Sequence, residues 1–122
     1  MEIVESSNGA YEIHDKYVIA RYFEGSSLGI EEAVFVNTLL RDRFSTEFGW
    51  ISDRVNSYST DPMVIKEMVK NVSHFKCAAW VSYGSSLKAK ASALPAFVPD
   101  PIKTNIFDSL PEAIEWVESI VE

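Results

Sequence analysis

Paired cysteines, long apolar runs, glycine-rich phosphate loops and an excess of basic residues are all missing from this chain, and each absence removes a class of function. The single cysteine, Cys77, cannot close an internal disulfide, and no second cysteine stands near it for a C-x-x-C or zinc pattern. His14 and His74 lie far apart with no ligand spacing around either, so no metal site is expected. No apolar run approaches the roughly 18 residues that a membrane span needs. No basic start followed by an apolar stretch marks a leader peptide. The expected compartment is therefore a reducing cytoplasm. With 11 Lys and Arg against 18 Asp and Glu, the net charge is −7, which argues against a nucleic-acid partner.

Catalytic signatures are missing as well. No G-x-S-x-G, Walker A or Rossmann glycine pattern occurs. Ser85-Ser86-Leu87-Lys88 satisfies S-x-x-K, but its companions fail: Ser52-Asp53-Arg54 is not S-D-N, and Lys103-Thr104-Asn105 is not K-T-G. No nucleophile and base stand at a spacing that would define a site. The expectation is a protein that is not an enzyme, with no catalytic residues and no cofactor. Cys77, in an apolar stretch, reads as a small core residue rather than a nucleophile.

What is present fits one domain. A chain of 122 residues that is 47% apolar and 24% charged has enough apolar surface for a core of its own. Residues 1–122 are read as one unit, since no repeat, linker or low-complexity segment divides them. Met1 to Glu5 alternates weakly, Ser6-Ser7-Asn8-Gly9 is a turn, and Ala10 to His14 alternates again, so a hairpin is expected. Tyr17 to Phe23, rich in aromatic and β-branched residues, is a stronger strand. The period then becomes helical from Leu28 to Phe44, with Ile30, Ala33, Val34, Leu40 and Phe44 as the apolar stripe and Phe35, Val36 and Leu39 widening it.

Trp50 to Val55 reads as a strand entering the core. Asp61-Pro62 then opens a helix, Asp as N-cap and Pro in the first turn. That helix is expected to run from Met63 to about His74, with Met63, Ile65 or Val64, Met68, Val69 and Val72 inward. Lys76 to Tyr83 is short and apolar enough to be a strand buried on both faces. A third helical segment is expected from Leu87 to about Phe97, and a last strand over Thr104 to Phe107. Ser109, Pro111 and Glu112 open the final helix, Leu110 to Val121. Strands alternating with helices predict an α/β fold: one mixed sheet of five or six strands with about four helices.

Element order and two stretches carry a resemblance. Trp50-Ile51-Ser52-Asp53-Arg54-Val55-Asn56-Ser57-Tyr58-Ser59 is similar to an "ISxRxNSYS" signature of small bacterial proteins related to anti-sigma-factor antagonists. Phe107-Asp108-Ser109-Leu110-Pro111-Glu112-Ala113-Ile114-Glu115-Trp116 resembles their "F-x-S-L-x-E-A-x-x-W" ending. The chain thus resembles the SpoIIAA-like branch of the STAS fold. That resemblance implies regulation through protein contact, with an unidentified protein partner, a kinase or regulator, and it allows a homodimer. The implied working surface is the loop Asn56, Ser57, Tyr58, Ser59, Thr60, Asp61 with the helix after it, flanked by Asp53 and Arg54 on the strand.

In anti-sigma-factor antagonists a Ser or Thr at this helix start is phosphorylated, and Ser57, Ser59 or Thr60 occupies the equivalent neighbourhood. The Asp-Ser-[Ser/Thr]-Gly run usual there is absent, and Asp53 and Asp61 would repel a phosphate. The plainer reading makes these hydroxyls caps for the free amides of the helix start. Asn56 then serves the turn, and Asp53 and Arg54, pointing in alternate directions, put one side chain inward or form a surface ion pair. An alternative function is binding of a small apolar or lipid-like ligand, with Trp50, Tyr58, Trp80, Tyr83, Phe97 and Trp116 as candidate lining. A structural homo-oligomer is a third reading.

Overall fold

In the computed structural model, which describes residues 1–84 and 93–121, the chain order is β1 (Glu2–Glu5), β2 (Gly9–Ile13), β3 (Tyr17–Tyr22), β4 (Ser27–Leu28), α1 (Ile30–Arg43), β5 (Phe48–Arg54), β6 (Ser59–Thr60), α2 (Pro62–Val69), β7 (Phe75–Ser82), a 3-10 turn (Leu94–Phe97), β8 (Lys103–Phe107) and α3 (Leu110–Ile120). Six strands form one sheet in the order β1-β2-β3-β5-β7-β8. The first three are an antiparallel meander, and β3, β5, β7 and β8 pair in parallel. The expected mixed α/β sheet is therefore present. Three α-helices are found among the described residues instead of about four. Of the helical segment expected over Leu87–Phe97, residues 87–92 lie outside the described residues, and its end is the 3-10 turn.

Two layers cover the sheet. On one side α1, α2 and the 3-10 turn pack over Val18, Ala20, Tyr22, Trp50, Ala78 and Trp80. On the other, α3 lays Ala113, Val117 and Val121 on Ile51, Cys77, Ala79 and Val81. Period-2 alternation along the strands sorts these residues to the two faces. Gly49 lets α3 approach β5 closely, since a Cβ built there would lie 2.6 Å from Val117 Cγ1. Cys77 is buried, as expected of a core residue, and burial pushes its thiol up to about 11. Ser109 caps α3 by accepting from the Glu112 amide at 3.4 Å.

The helices depart from expectation in phase and length. Ile30 and Val34, expected inward, are 58% and 57% exposed, and the buried face of α1 is Glu32, Ala33, Val36, Leu39 and Leu40. The phase is turned by Glu32, whose carboxylate accepts hydrogen bonds from Tyr11 Oη and from Asn8 Nδ2. Leu28 belongs to β4 rather than to the helix. Helix α2 stops at Val69, short of His74, because Asn71 and His74 both take positive φ, at 58° and 69°. Its Met63 is exposed, while Val64 and Met68 face the core.

Asn37 holds the C-terminal end of α2 from α1. Its Nδ2 donates to the carbonyls of Lys70 at 2.7 Å, Met68 at 3.1 Å and Glu67 at 3.3 Å, acceptors that a helix end leaves free. Asn37→Ala is expected to cost about 1–2 kcal/mol. Urea unfolding would measure the loss, and faster amide exchange confined to α2 would place it.

Candidate functional site: a pocket under the loop that follows β5

The segment after β5 alternates like a strand. Ser57, Ser59 and Asp61 face solvent, whereas Tyr58 and Thr60 turn inward. The reason is pairing: Ser59–Thr60 forms β6 and adds in parallel to β4, in the register Ser27 with Ser59 and Leu28 with Thr60. Ser27 Oγ and Ser59 Oγ lie 3.2 Å apart, Asn56 Nδ2 donates to the Tyr22 carbonyl at 3.0 Å, and Glu24 Oε2 accepts the Ser57 amide at 2.7 Å. Only Asp61 caps α2, accepting from the Met63 amide at 2.9 Å. The hydroxyls of Ser57, Ser59 and Thr60 therefore do not serve as caps. The β4–β6 pairing joins residues about thirty apart in sequence and is too short to leave a pattern.

Under this loop lies an apolar pocket. Its floor is the sheet: Tyr22 of β3, Trp50, Ser52 and Arg54 of β5, Ala78 and Trp80 of β7. Val36 and Leu40 of α1 and Ile65, Met68 and Val69 of α2 close it above, and Leu28, Tyr58 and Thr60 wall it on the loop side. The cavity measures about 50 Å³. One water needs roughly 10–15 Å³, and an engineered cavity of about 150 Å³ takes benzene. A few water-sized bodies or a short aliphatic group fit here; a long acyl chain does not.

An open groove of about 460 Å³ lies outside, between α2 and the 3-10 turn, with Met63, Lys66, Phe97 and Pro99 among its walls. Val69 and Val98 wall both spaces.

Of the aromatic residues proposed as lining, Trp50, Tyr58 and Trp80 face the pocket and Phe97 faces the outer groove. Tyr83 and Trp116 do not line it. Tyr83 donates to Asp53 on the far face of the sheet, and Trp116 packs on Phe107 with ring centroids 5.6 Å apart.

A polar pole interrupts the apolar wall. Trp50 Nε1 donates to Ser52 Oγ at 2.7 Å, and Arg54 Nη1 donates to Tyr58 Oη at 2.9 Å. The guanidinium carbon lies 4.5 Å from the centroid of the Tyr58 ring, a cation–π contact that holds the side chain in place. Burial raises the Tyr58 phenol, against the lowering effect of Arg54. Tyr58 is therefore a neutral hydroxyl near pH 7.

Asp53 and Arg54 do point to opposite faces, and no ion pair joins them. Asp53 is 4% exposed, accepts from Arg21 Nε at 2.8 Å and from Tyr83 Oη at 2.7 Å, and lies on the side of α3. Arg21 reaches on to Glu12. Burial pushes Glu12 up, but the hydrogen bonds from Arg21 and His14 outweigh it and hold the carboxyl below its ordinary range. The candidate residues thus divide into an outer surface (Ser57, Ser59, Asp61), a pocket wall (Arg54, Tyr58, Thr60) and a network on the opposite face (Asp53). Sequence reasoning missed Ser52, Ser82, Glu24 and Arg21. Period-2 alternation places Ser52 on the face of Trp50, so that one was within reach; the others depend on strand order.

No cluster of His, Cys, Asp or Glu able to hold a metal occurs among the described residues. No helix is long and apolar enough to cross a membrane, again among the described residues.

Comparison with solved structures finds an uncharacterised protein of the DUF3478 family with a SpoIIAA-like fold, from Shewanella loihica PV-4. The two share 15% identity over 95% of this chain and 90% of that one, with a TM-score of 0.59. The chain has a SpoIIAA-like fold. At that identity the similarity establishes architecture alone, in agreement with the resemblance carried by the residues around Trp50 and Phe107. No family model and no curated protein matches the sequence.

Proposed function

We propose that this SpoIIAA-like chain is a binding module rather than an enzyme, and that it takes a small, largely apolar molecule between the sheet and α1–α2. The observation that supports this is the pocket itself, an apolar cavity of about 50 Å³ beneath Tyr58 and Thr60. Ligand sites are typically concave and mostly apolar with a few polar groups, and this pocket has that make-up. Its position also fits, because open α/β sheets bind ligands outside the carboxyl ends of their parallel strands, where Tyr22, Arg54 and Ser82 end β3, β5 and β7.

Straight-chain alcohols from propanol to octanol test it by NMR titration. Binding should shift the amides of Val36, Thr60 and Ala78. Affinity should rise about fourfold per methylene, the equivalent of ~0.8 kcal/mol, until the chain leaves the cavity. Ala78→Leu, which fills the space, should abolish it. Titration without shifts at these residues would remove the reading.

A second reading is a regulatory module that meets a protein partner through the 56–62 loop and α2. Val55 and Met63, 52% and 59% exposed, flank that loop and favour it. The loop geometry favours phosphorylation less, because a phosphate on Ser57 would stand beside the Glu24 carboxylate that holds its amide. The two readings meet at one place: Tyr58 and Thr60 wall the pocket on one side of the segment whose other side presents Ser57 and Ser59. A partner captured by the wild type and lost with Val55→Glu/Met63→Glu would support the regulatory reading.

A further inference from the structure

Among the described residues two buried side-chain atoms have no hydrogen-bond partner, Arg54 Nε and Ser82 Oγ. They are neighbours. Arg54 ends β5, Ser82 ends β7, and the two are directly paired in the parallel register, on the face that carries Trp50, Ser52 and Trp80. Arg54 lines the pocket, and Ser82 is 1% exposed beside it. The other buried polar groups are satisfied: Glu32 by Tyr11 and Asn8, Asp53 by Arg21 and Tyr83, Ser52 by Trp50. Buried donors left without acceptors are rare in folded proteins and call for a partner.

Charge is unbalanced at the same point. Arg21 and Arg43 each meet a carboxylate, and none of the ion pairs among the described residues includes Arg54. Its Nη1 is committed to Tyr58 Oη. That leaves the edge formed by Nε and Nη2, whose two parallel N–H bonds match the oxygens of a carboxylate.

We infer that the pocket's ligand carries a single carboxylate, received by the Nε edge of Arg54 with the Ser82 hydroxyl beside it, and that its apolar part lies between the sheet and α1–α2. The inference rests on the pocket being a binding site. One guanidinium, with no Lys in the pocket wall, in a chain of net charge −7, balances a monoanion and not a phosphate dianion. The cavity of about 50 Å³ limits the buried apolar part to a few carbons.

Butanoate and butanamide are close in size and shape but differ in charge, with one acceptor oxygen replaced by an NH2 donor in the amide, and they decide the matter by NMR titration near pH 7. Wild type should bind butanoate at least about ten times more tightly than butanamide, the scale of a charge-assisted bidentate contact. Arg54→Gln should bring that ratio close to one, and Ser82→Ala should lower it about threefold. Arg54→Lys keeps the charge without the planar edge and should lose most of the preference, which covers the case in which Arg54→Gln does not fold. Equal binding of the two probes by wild type would overturn the carboxylate while leaving the apolar pocket standing. Binding of neither would overturn both. An unchanged ratio in Arg54→Gln and Arg54→Lys would place the anion elsewhere and overturn the assignment to Arg54.

Discussion

Phe48→Ala should lower stability by about 3–5 kcal/mol, the range for truncating a buried aromatic ring. Phe48 is fully buried at the start of β5. It stacks on Phe44, the residue that ends α1, with centroids 4.3 Å apart and planes at 13°, and it meets Phe75 at the start of β7 at 4.9 Å. Three elements therefore share one aromatic cluster, and their amino and carboxyl ends are set by it. The backbone is fixed at the same point, since the Phe48 amide donates to the His74 carbonyl at 3.0 Å and the Gly49 amide to Lys16 at 2.9 Å. With the strand ends tied, the site cannot collapse onto the space left, which puts the expected cost in the upper part of the range. Thermal unfolding should fall by about 12–20 °C for a domain of this size. Phe48→Leu, which retains most of the volume, should fall by less than half as much. A loss below about 1 kcal/mol for Phe48→Ala would mean that α1 and β7 are positioned without the cluster.

The strands of the six-stranded sheet were legible in this sequence because their signals are local. Tyr17–Tyr22 and Phe75–Ser82 are dense in β-branched, aromatic and small apolar residues, and the caps at Asp61 and Ser109 stand where their chemistry requires. The phase of α1 was not legible. Ala33, Leu40 and Phe44 of the expected stripe are buried, but Ile30 and Val34 fit the same spacing and are exposed, while Glu32 is buried against Tyr11 and Asn8, partners that lie elsewhere in the chain. A carboxylate near a helix N-terminus is favoured by the dipole, so Glu32 can be buried there at low cost once two donors meet it. The end of α2 did leave a signal, because Asn71 stands just past the C-cap, where a left-handed residue ends a helix, but the apolar spacing continuing to Val72 hid it.

The site shows the same division. That a loop after a central strand should matter followed from Trp50-Ile51 giving way to Asn56 and three hydroxyls. The inward turn of Tyr58 and Thr60, and the pairing of Arg54 with Ser82, follow from sheet order and from β4 meeting β6. Non-local pairings of this kind are decided by burial of the whole sheet, and no window of sequence contains them. The aromatic residues illustrate the limit. Trp80 lies within β7 and faces the pocket, whereas Tyr83 follows the last strand residue, Ser82, and its hydroxyl reaches Asp53 on the other face.

Asp53→Ala should cost about 3 kcal/mol, the lower end of the range for breaking a buried ion pair by removing one partner. Arg21, with a third of its side chain exposed and Glu12 still in reach, recovers part of its solvation, which is why the upper end does not apply. Tyr83 loses its acceptor outright. Asp53→Asn keeps an oxygen for Tyr83 and loses only the charge facing Arg21, so about 1–2 kcal/mol is expected. The phenol of Tyr83 reports the change independently. Partial burial and then the hydrogen bond to Asp53 push it from 10.0 up to about 12. Because the folded-state value is raised, the stability this group contributes is whole below pH 10 and is lost as pH rises toward 12. In Asp53→Ala the Tyr83 resonance should titrate closer to 10, and the fall in stability across that alkaline window should flatten. If Tyr83 titrates unchanged while stability drops, the Arg21 contact alone carries the effect. If neither moves, the far face of the sheet is held by α3 and the strand ladder, and the buried carboxylate is dispensable to the fold.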